Sequence, residues 1–370
     1  MIKAKEGGGS DRRVADYVVM EVNLSVMKDQ TRLKGALVMG TYKIAIVNSS
    51  SFGKIFHDQL ERLEKIGEVR SFTVDGEIGG RELAELLAGY NIIIASVTPF
   101  FTKEFFEHKD ELILITRHGI GYNNIDIEAA REHDTIVSII PALVERDAVA
   151  ENNITNLLAL LRKTVEADLS VKNDSWEDRA NFVGRTLFNK TVGVIGVGNT
   201  GSCVVETLRN GFRCNVLAYD PYKSALHVES YGAKKVDLPQ LLKEADIICL
   251  CASLNEENYH MISTEEIAQM KDNVYLSNSA RGALLDEEAI VSALKSGKIA
   301  GLATDVLEEE PGRKDHPYLA FSNVVMTPHT SAYTMECLQE MGAKCLRDVE
   351  DVVAGKIPER SVQAESKLVS

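Results

Sequence analysis

The sequence predicts an α/β protein of two doubly wound parallel-sheet domains, the second inserted into the first. Three observations carry this. Short β-branched runs alternate with helical patterns in two series, one from Tyr42 and one from about residue 190. A glycine-rich turn at residues 196–201 stands at the head of the second series. And 370 residues are too many for one ordinary hydrophobic core.

In chain order, residues 1–40 show no strand–turn–helix rhythm. They contain Gly7-Gly8-Gly9-Ser10, which reads as linker, so they are taken as an N-terminal extension outside the site. Strands are expected at 42–47, 91–95, 112–116 and 135–140, with helices at 52–66 and 81–88 between them. A long helix opens after Pro141 and runs from Arg146 to about Ser170, its Leu157, Leu158, Leu160 and Leu161 facing a core. The second series has strands at 191–195, 215–219, 246–251, 273–277, 299–303 and 323–326. A last helix runs from Tyr333 to about Ala354 and ends at Gly355. The expected division is 41–145 with 329–360 for the discontinuous first domain, 146–328 for the inserted one and 361–370 as a tail, the two long helices acting as hinges.

Composition excludes several classes. At 45% apolar and 26% charged residues the chain can build real cores. Its formal charge of −14 repels phosphate backbones and anionic lipid, so no nucleic-acid or membrane partner is expected. No apolar run reaches membrane-spanning length, and the N-terminus lacks the apolar core of a secretory signal. Cys203, Cys214, Cys249, Cys251, Cys337 and Cys345 form no C-x-x-C pair and no zinc pattern. They read as small buried hydrophobes in a reducing cytoplasm, and no catalytic metal is expected.

Val194-Ile195-Gly196-Val197-Gly198-Asn199-Thr200-Gly201 is a G-x-G-x-x-G. Alone the pattern is weak. Here it follows an apolar strand and opens an amphipathic helix, Thr200 to Asn210, which is the context a dinucleotide-binding Rossmann domain requires. Gly196 permits the tight turn, Gly198 lets backbone approach a pyrophosphate, and Gly201 lets the helix pack closely. N–H groups at the helix start, with Asn199 and Thr200, face the anion. The next strand ends in Asp220, about twenty residues on, where a carboxylate accepts hydrogen bonds from ribose hydroxyls and repels a 2′-phosphate. NAD is therefore expected over NADP.

Three further segments follow later strands: Asn278-Ser279-Ala280-Arg281-Gly282, Asp305-Val306-Leu307-Glu308-Glu309-Glu310-Pro311 and Thr327-Pro328-His329-Thr330-Ser331. In order and spacing they resemble the D-isomer-specific 2-hydroxyacid dehydrogenase family over roughly residues 41–360. Arg117-His118-Gly119-Ile120-Gly121-Tyr122-Asn123-Asn124-Ile125-Asp126 is similar to that family's substrate loop, and Ala150-Glu151 matches a pair common there. The family usually has His next; this chain has Asn152. The resemblance implies a Rossmann NAD domain inserted into a smaller flavodoxin-like substrate domain, and reversible hydride transfer between NADH and a 2-keto acid. The catalytic residues would be Arg281, Glu310 and His329. A guanidinium matches a carbonyl beside a carboxylate as a lysine cannot. His329 exchanges the proton near neutral pH, and Glu310 orients the ring and favours its charged form. By resemblance Asp305 contacts the nicotinamide side, and Ile120 and Gly121 offer N–H groups to the substrate carboxylate. Members of the family commonly pair through the region of the 146–170 helix, so a homodimer is expected.

Taken singly, each residue of the trio has an ordinary explanation: a surface ion pair, a solvated acidic run, a turn histidine. Together, at family spacing, they favour catalysis. His118 lies beside the substrate loop and His316 in a loop that the family shares; His57, His108, His133, His227 and His260 read as surface or helix residues. Phe52, Phe100, Phe101 and Tyr122 are candidates for the substrate pocket, balanced against ordinary packing. Pyruvate, giving D-lactate, is the first expectation for the substrate. Glyoxylate, hydroxypyruvate and 3-phosphoglycerate remain open, the last needing a further cation such as Arg117, Lys54 or Lys103. A rival of another class is a non-enzymatic, NAD-sensing corepressor-like scaffold.

Overall fold

The structure is a computed structural model that describes residues 42–362. The extension 1–40 and the chain beyond Val362 lie outside the described residues. Two compact units are present: one of residues up to Pro141 together with those from Leu338, the other of Ala142–Cys337.

The first unit is built on β1 (Lys43–Val47), β2 (Glu68–Phe72), β3 (Ile92–Ala95), β4 (Leu114–Arg117) and β5 (Ile136–Ser138). They form one parallel sheet in the order β2-β1-β3-β4-β5, which is flavodoxin-like. Helices α1 (His57–Glu64), α2 (Gly80–Leu86), α3 (Lys103–His108) and α4 (Ile127–Glu132) connect the strands. Strands β3 and β4 are buried along their whole length, as apolar runs covered on both faces must be. Strand β2 was not foreseen: as an edge strand, Glu-Val-Arg-Ser-Phe has no apolar run to betray it.

The second unit starts with α5 (Ala142–Arg162), where the sequence suggested one helix from 146 to 170. Lys163 takes φ 51° and breaks that helix, and α6 (Thr164–Lys172) resumes beyond it. There follow β6 (Thr191–Ile195), α7 (Asn199–Glu206), β7 (Asn215–Tyr219), α8 (Ala225–Ser230), β8 (Lys234–Lys235), α9 (Leu238–Glu244), β9 (Ile247–Leu250), α10 (Thr264–Gln269), β10 (Val274–Asn278), α11 (Glu287–Ser296), β11 (Ile299–Thr304) and β12 (Val324–Met326), and the last helix, α12 (Met335–Val353), belongs to the first unit from Leu338 on. The helix expected over Thr200–Asn210 is α7 continued by a π-helical turn, Thr207–Gly211. All seven strands pair in parallel, ordered β12-β11-β10-β9-β6-β7-β8. The order reverses between β6 and β9, the crevice where open α/β sheets bind ligands. Two large apolar clusters fill the faces of this sheet, one around Ile248, Leu276 and Leu302, the other around Leu157, Val194 and Cys249.

The unit boundaries differ from those read in the sequence. All of α5 belongs to the second unit because its buried face, including Ile154, Leu157 and Leu161, completes that unit's core. His329 also lies in the second unit, not at the start of the returning segment, because Asp305 holds its backbone. Ser361, assigned to the tail, is buried and bridges Ser138. Among the described residues no helix is long and apolar enough to cross a membrane.

Candidate active site

The glycine turn joins β6 to α7 at the strand-order reversal. Gly196 takes φ 89°, and a Cβ there would lie 2.6 Å from the Ala252 backbone beyond β9. Only glycine suits both constraints. Gly201 packs α7 onto the turn, since a Cβ would come 2.0 Å from the Gly196 carbonyl oxygen. Gly198, by contrast, faces open space, and no side chain caps the helix it begins. Free backbone N–H groups beside an open cradle fit a pyrophosphate. Asp220 Oδ2 accepts from the Val197 N–H at 2.8 Å and Oδ1 from the Tyr222 N–H at 2.9 Å. Each oxygen keeps a lone pair for a ribose hydroxyl. His227 is no simple surface residue: its Nε2 lies 3.1 Å from the Val197 carbonyl oxygen.

Arg281, Asp305, Glu310 and His329 follow the carboxyl ends of three adjacent strands, β10, β11 and β12. His329 Nδ1 lies 2.7 Å from Glu310 Oε2. Because an ionised carboxylate only accepts, Nδ1 carries the proton of this bond. Glu310 Oε1 accepts from the Leu307 N–H at 3.0 Å. Burial pushes the Glu310 carboxyl up, but the hydrogen bond and charge of His329, the Leu307 N–H and the charge of Arg281 outweigh it. The group is held below its ordinary value and stays ionised near neutrality. Arg281 Nη1 donates to the Ala280 carbonyl at 2.7 Å, and the Asn278 amide donates to the Arg281 carbonyl at 2.9 Å.

Asp305 is bonded on every side by its own domain. Its Oδ1 accepts from Thr327 Oγ1 (2.5 Å) and the Thr330 N–H (2.9 Å), its Oδ2 from the Ser331 N–H (2.8 Å) and Oγ (2.5 Å). Its carbonyl accepts the His329 N–H at 2.8 Å. Those side-chain bonds fill the carboxylate's capacity. Asp305 thus anchors the 327–331 loop and holds His329 at φ 52°.

The other predicted residues lie in the first unit. Gly119, Ile120 and Gly121 follow β4, and Gly119 takes φ 153°. Phe52 is buried edge-on to His118, ring centroids 5.5 Å apart, while Phe100 and Tyr122 are exposed. Phe101 is wholly buried core, its backbone bonded to Asn124 and Asp126. Burial and the neighbouring Arg117 charge bring the His118 imidazole down to about 3, so this ring is neutral. Of the cations considered for a phosphate, Lys54 Nζ donates to the Ser49 carbonyl, Lys103 pairs with Glu107, and Arg117 is buried and donates to the His118 carbonyl.

Sequence reasoning passed over the groups that hold the loops. Asn153 on α5 donates to Ser279 Oγ at 2.8 Å, next to the Arg281 loop. Asn156, one turn further, donates to Thr327 Oγ1 at 2.9 Å, in the His329 loop. Their signal was available: two amides on the apolar face of a helix are buried polar groups that need partners. His260 was set aside as a surface residue, yet its Nε2 lies 2.9 Å from Glu308 Oε2.

A nucleotide cradle at the strand-order reversal, with an Arg–Glu–His set on the neighbouring strand ends, defines a dinucleotide-binding α/β domain carrying an acid–base pair. The chain belongs to the D-isomer specific 2-hydroxyacid dehydrogenase family, and its residues 154–331 match the model of that family's NAD binding domain. It is 38% identical over 309 residues to a D-3-phosphoglycerate dehydrogenase of Methanocaldococcus jannaschii, covering 83% of this chain and 58% of that protein. It is 34% identical over 289 residues to a glyoxylate reductase of Thermococcus litoralis, covering 76% and 86%. The chain thus spans little more than half the length of the phosphoglycerate dehydrogenase. A D-lactate dehydrogenase of Aquifex aeolicus, solved with NAD and lactic acid, superposes with a TM-score of 0.73 at 28% identity, covering 84% of this chain and 96% of that one.

Proposed function

We propose that the protein is an NAD-dependent D-2-hydroxyacid dehydrogenase acting reversibly on a small, unphosphorylated 2-keto acid. The observation that carries this is the 2.7 Å bond from His329 Nδ1 to an ionised Glu310, on strand ends shared with Arg281. NADH, when bound, supplies the hydride. His329 holds a proton on Nε2 for the carbonyl oxygen as charge develops there, and takes it back in oxidation. Arg281 binds the carboxylate–carbonyl pair and polarises the carbonyl. Glu310 fixes the ring and stabilises its charged form. Following the family's pattern, Ile120 and Gly121 are assigned to the substrate carboxylate and Phe52 and Tyr122 to its side chain.

The substrate reading shifts from pyruvate toward glyoxylate and hydroxypyruvate. A glyoxylate reductase is matched over most of its length, and Lys54, Lys103 and Arg117 are already engaged with protein groups, which disfavours a phosphorylated acid. The test is NADH oxidation over glyoxylate, hydroxypyruvate, pyruvate, phenylpyruvate and 3-phosphohydroxypyruvate. Turnover of a small acid is expected; failure of all of them would leave the scaffold reading. Repeating the assay with NADPH, and with Asp220→Ser, reads the cofactor choice. Loss of charge-assisted hydrogen bonds worth about 1.5–3 kcal/mol should narrow the NADH preference by about tenfold or more, and an unchanged ratio of kcat/KM values would remove Asp220 from that role.

The dimer reading moves from the 146–170 helix to the segment after its break. None of α6 is buried, though it carries Val165, Leu169 and Val171, and Trp176 and Val183 just beyond are exposed as well. An uncovered apolar stretch of this kind fits a second copy of the chain. Elution at twice the 40.7 kDa chain mass is expected, with Leu169→Glu shifting the protein toward monomer; a monomeric parent protein would end this reading. Six free cysteines suit a reducing compartment, and we assign the enzyme to the cytoplasm.

A further inference from the structure

We propose that Glu308 is a positioning residue that sets the Glu310–His329 pair through the backbone of Leu307 and Glu308. This rests on the catalytic reading of that pair.

The backbone of Leu307 touches both halves of the site. On its amino side, the Leu307 N–H donates to Glu310 Oε1 at 3.0 Å, while Glu310 Oε2 meets His329. On its other side it lies against Gly282, next to Arg281, so closely that a Cβ on Gly282 would sit 1.9 Å from the Leu307 carbonyl carbon. A shift of Leu307, which carries both contacts, therefore displaces the general acid's partner and the substrate-binding arginine together.

Glu308 pins it from outside. Its Oε1 accepts from the Tyr259 hydroxyl at 2.5 Å and its Oε2 from His260 Nε2 at 2.9 Å. The Tyr259 and His260 rings stack with centroids 4.0 Å apart, presenting the two donors side by side. The backbone beneath them is tied down, His260 N–H to the Ala283 carbonyl at 2.8 Å and Ile262 N–H to Leu284 at 3.1 Å. Glu308 also donates its own N–H to Glu287 Oε1 at 3.3 Å, on the first turn of α11. Glu287 Oε2 in turn lies 3.3 Å from His316 Nε2, whose Nδ1 accepts from the Tyr318 N–H, so Nε2 carries the proton. Two carboxylates thus brace one peptide against two separate parts of the domain. Neighbouring Glu309 lies 3.7 Å from Arg313 on the surface. Groups that hold a reacting residue matter because small misplacements are costly in rate.

The test compares Glu308→Ala, Glu308→Gln and Glu309→Ala with the parent chain. A proton NMR signal from the His329 Nδ1–H, identified by its loss in His329→Asn, reads the bond to Glu310 without any substrate. In Glu308→Ala this signal should broaden or vanish. With the best keto acid, kcat should fall on the order of tenfold, and KM for NADH and the melting temperature should stay near those of the parent. Glu308→Gln should recover most of both losses, and Glu309→Ala should match the parent. A Glu308→Ala protein with an intact imidazole signal, or one whose rate loss merely follows a lowered melting temperature, overturns the inference. A parent chain that turns over no keto acid removes the proposed function instead, and the imidazole signal still decides the role of Glu308.

Discussion

Replacing His329 by Asn is expected to lower kcat for keto-acid reduction by about a hundred- to ten-thousand-fold, the range that general acid catalysis contributes. Asparagine keeps a polar group of similar reach but has no proton to exchange near neutral pH. The surrounding loop should survive, because Asp305 holds it through the backbone of His329, Thr330 and Ser331 and needs nothing from the imidazole. KM for NADH should therefore change little. A fall in kcat of less than tenfold would mean that another group supplies the proton.

The pH dependence of stability reports on Glu310. Glu310 lies below its ordinary carboxylate value because the bond and charge of His329, the Leu307 N–H and Arg281 overcome its burial. A depressed carboxyl contributes stability above its unfolded value and loses it as pH falls through the folded one, so that loss belongs to acid pH. Glu310→Gln should remove that acid loss of stability and lower the rate, since a neutral amide accepts the Nδ1 proton without stabilising its charge.

Much of this was legible in the chain. Six of the second unit's strands stand within a residue or two of their expected bounds, because each is an apolar run closed by a turn. The glycine turn was legible because its residues answer to backbone geometry: Gly196 needs its positive φ, and Gly201 its missing Cβ. What stayed hidden was of two kinds. Edge strands β2 and β8 present polar residues to solvent and carry no apolar signature. The loop supports, Asn153, Asn156 and Glu308, act across 126, 171 and 48 to 49 positions of sequence. Spacing marks a residue that must recur within one element, but it cannot say which distant loop a buried amide will meet. Asp305 shows the same limit: its motif marks the position, but only its hydrogen bonds show that both carboxylate oxygens hold the His329 loop.

Arg281→Lys is the substitution that should look most conservative and cost the most for its size. The charge is kept, so simple attraction of a keto acid to a site in a protein of net charge −14 survives. The fork is not. Arg281 already gives Nη1 to the Ala280 carbonyl, which fixes the plane of the guanidinium and leaves its remaining N–H groups for a substrate. An ammonium that made the same anchoring bond would present a point charge with no planar pair of donors. It could meet the carboxylate or the carbonyl oxygen but not span both, and the carbonyl is where charge develops. We expect kcat/KM for the keto acid to fall by about a hundred- to a thousandfold, the cost of losing one preorganised donor at such an oxygen, with most of the loss in kcat. Restoring part of that rate with added guanidinium in an Arg281→Ala protein would identify the missing geometry directly. Near-parent rates in Arg281→Lys would reduce Arg281 to an electrostatic lure and leave polarisation of the carbonyl to His329 alone.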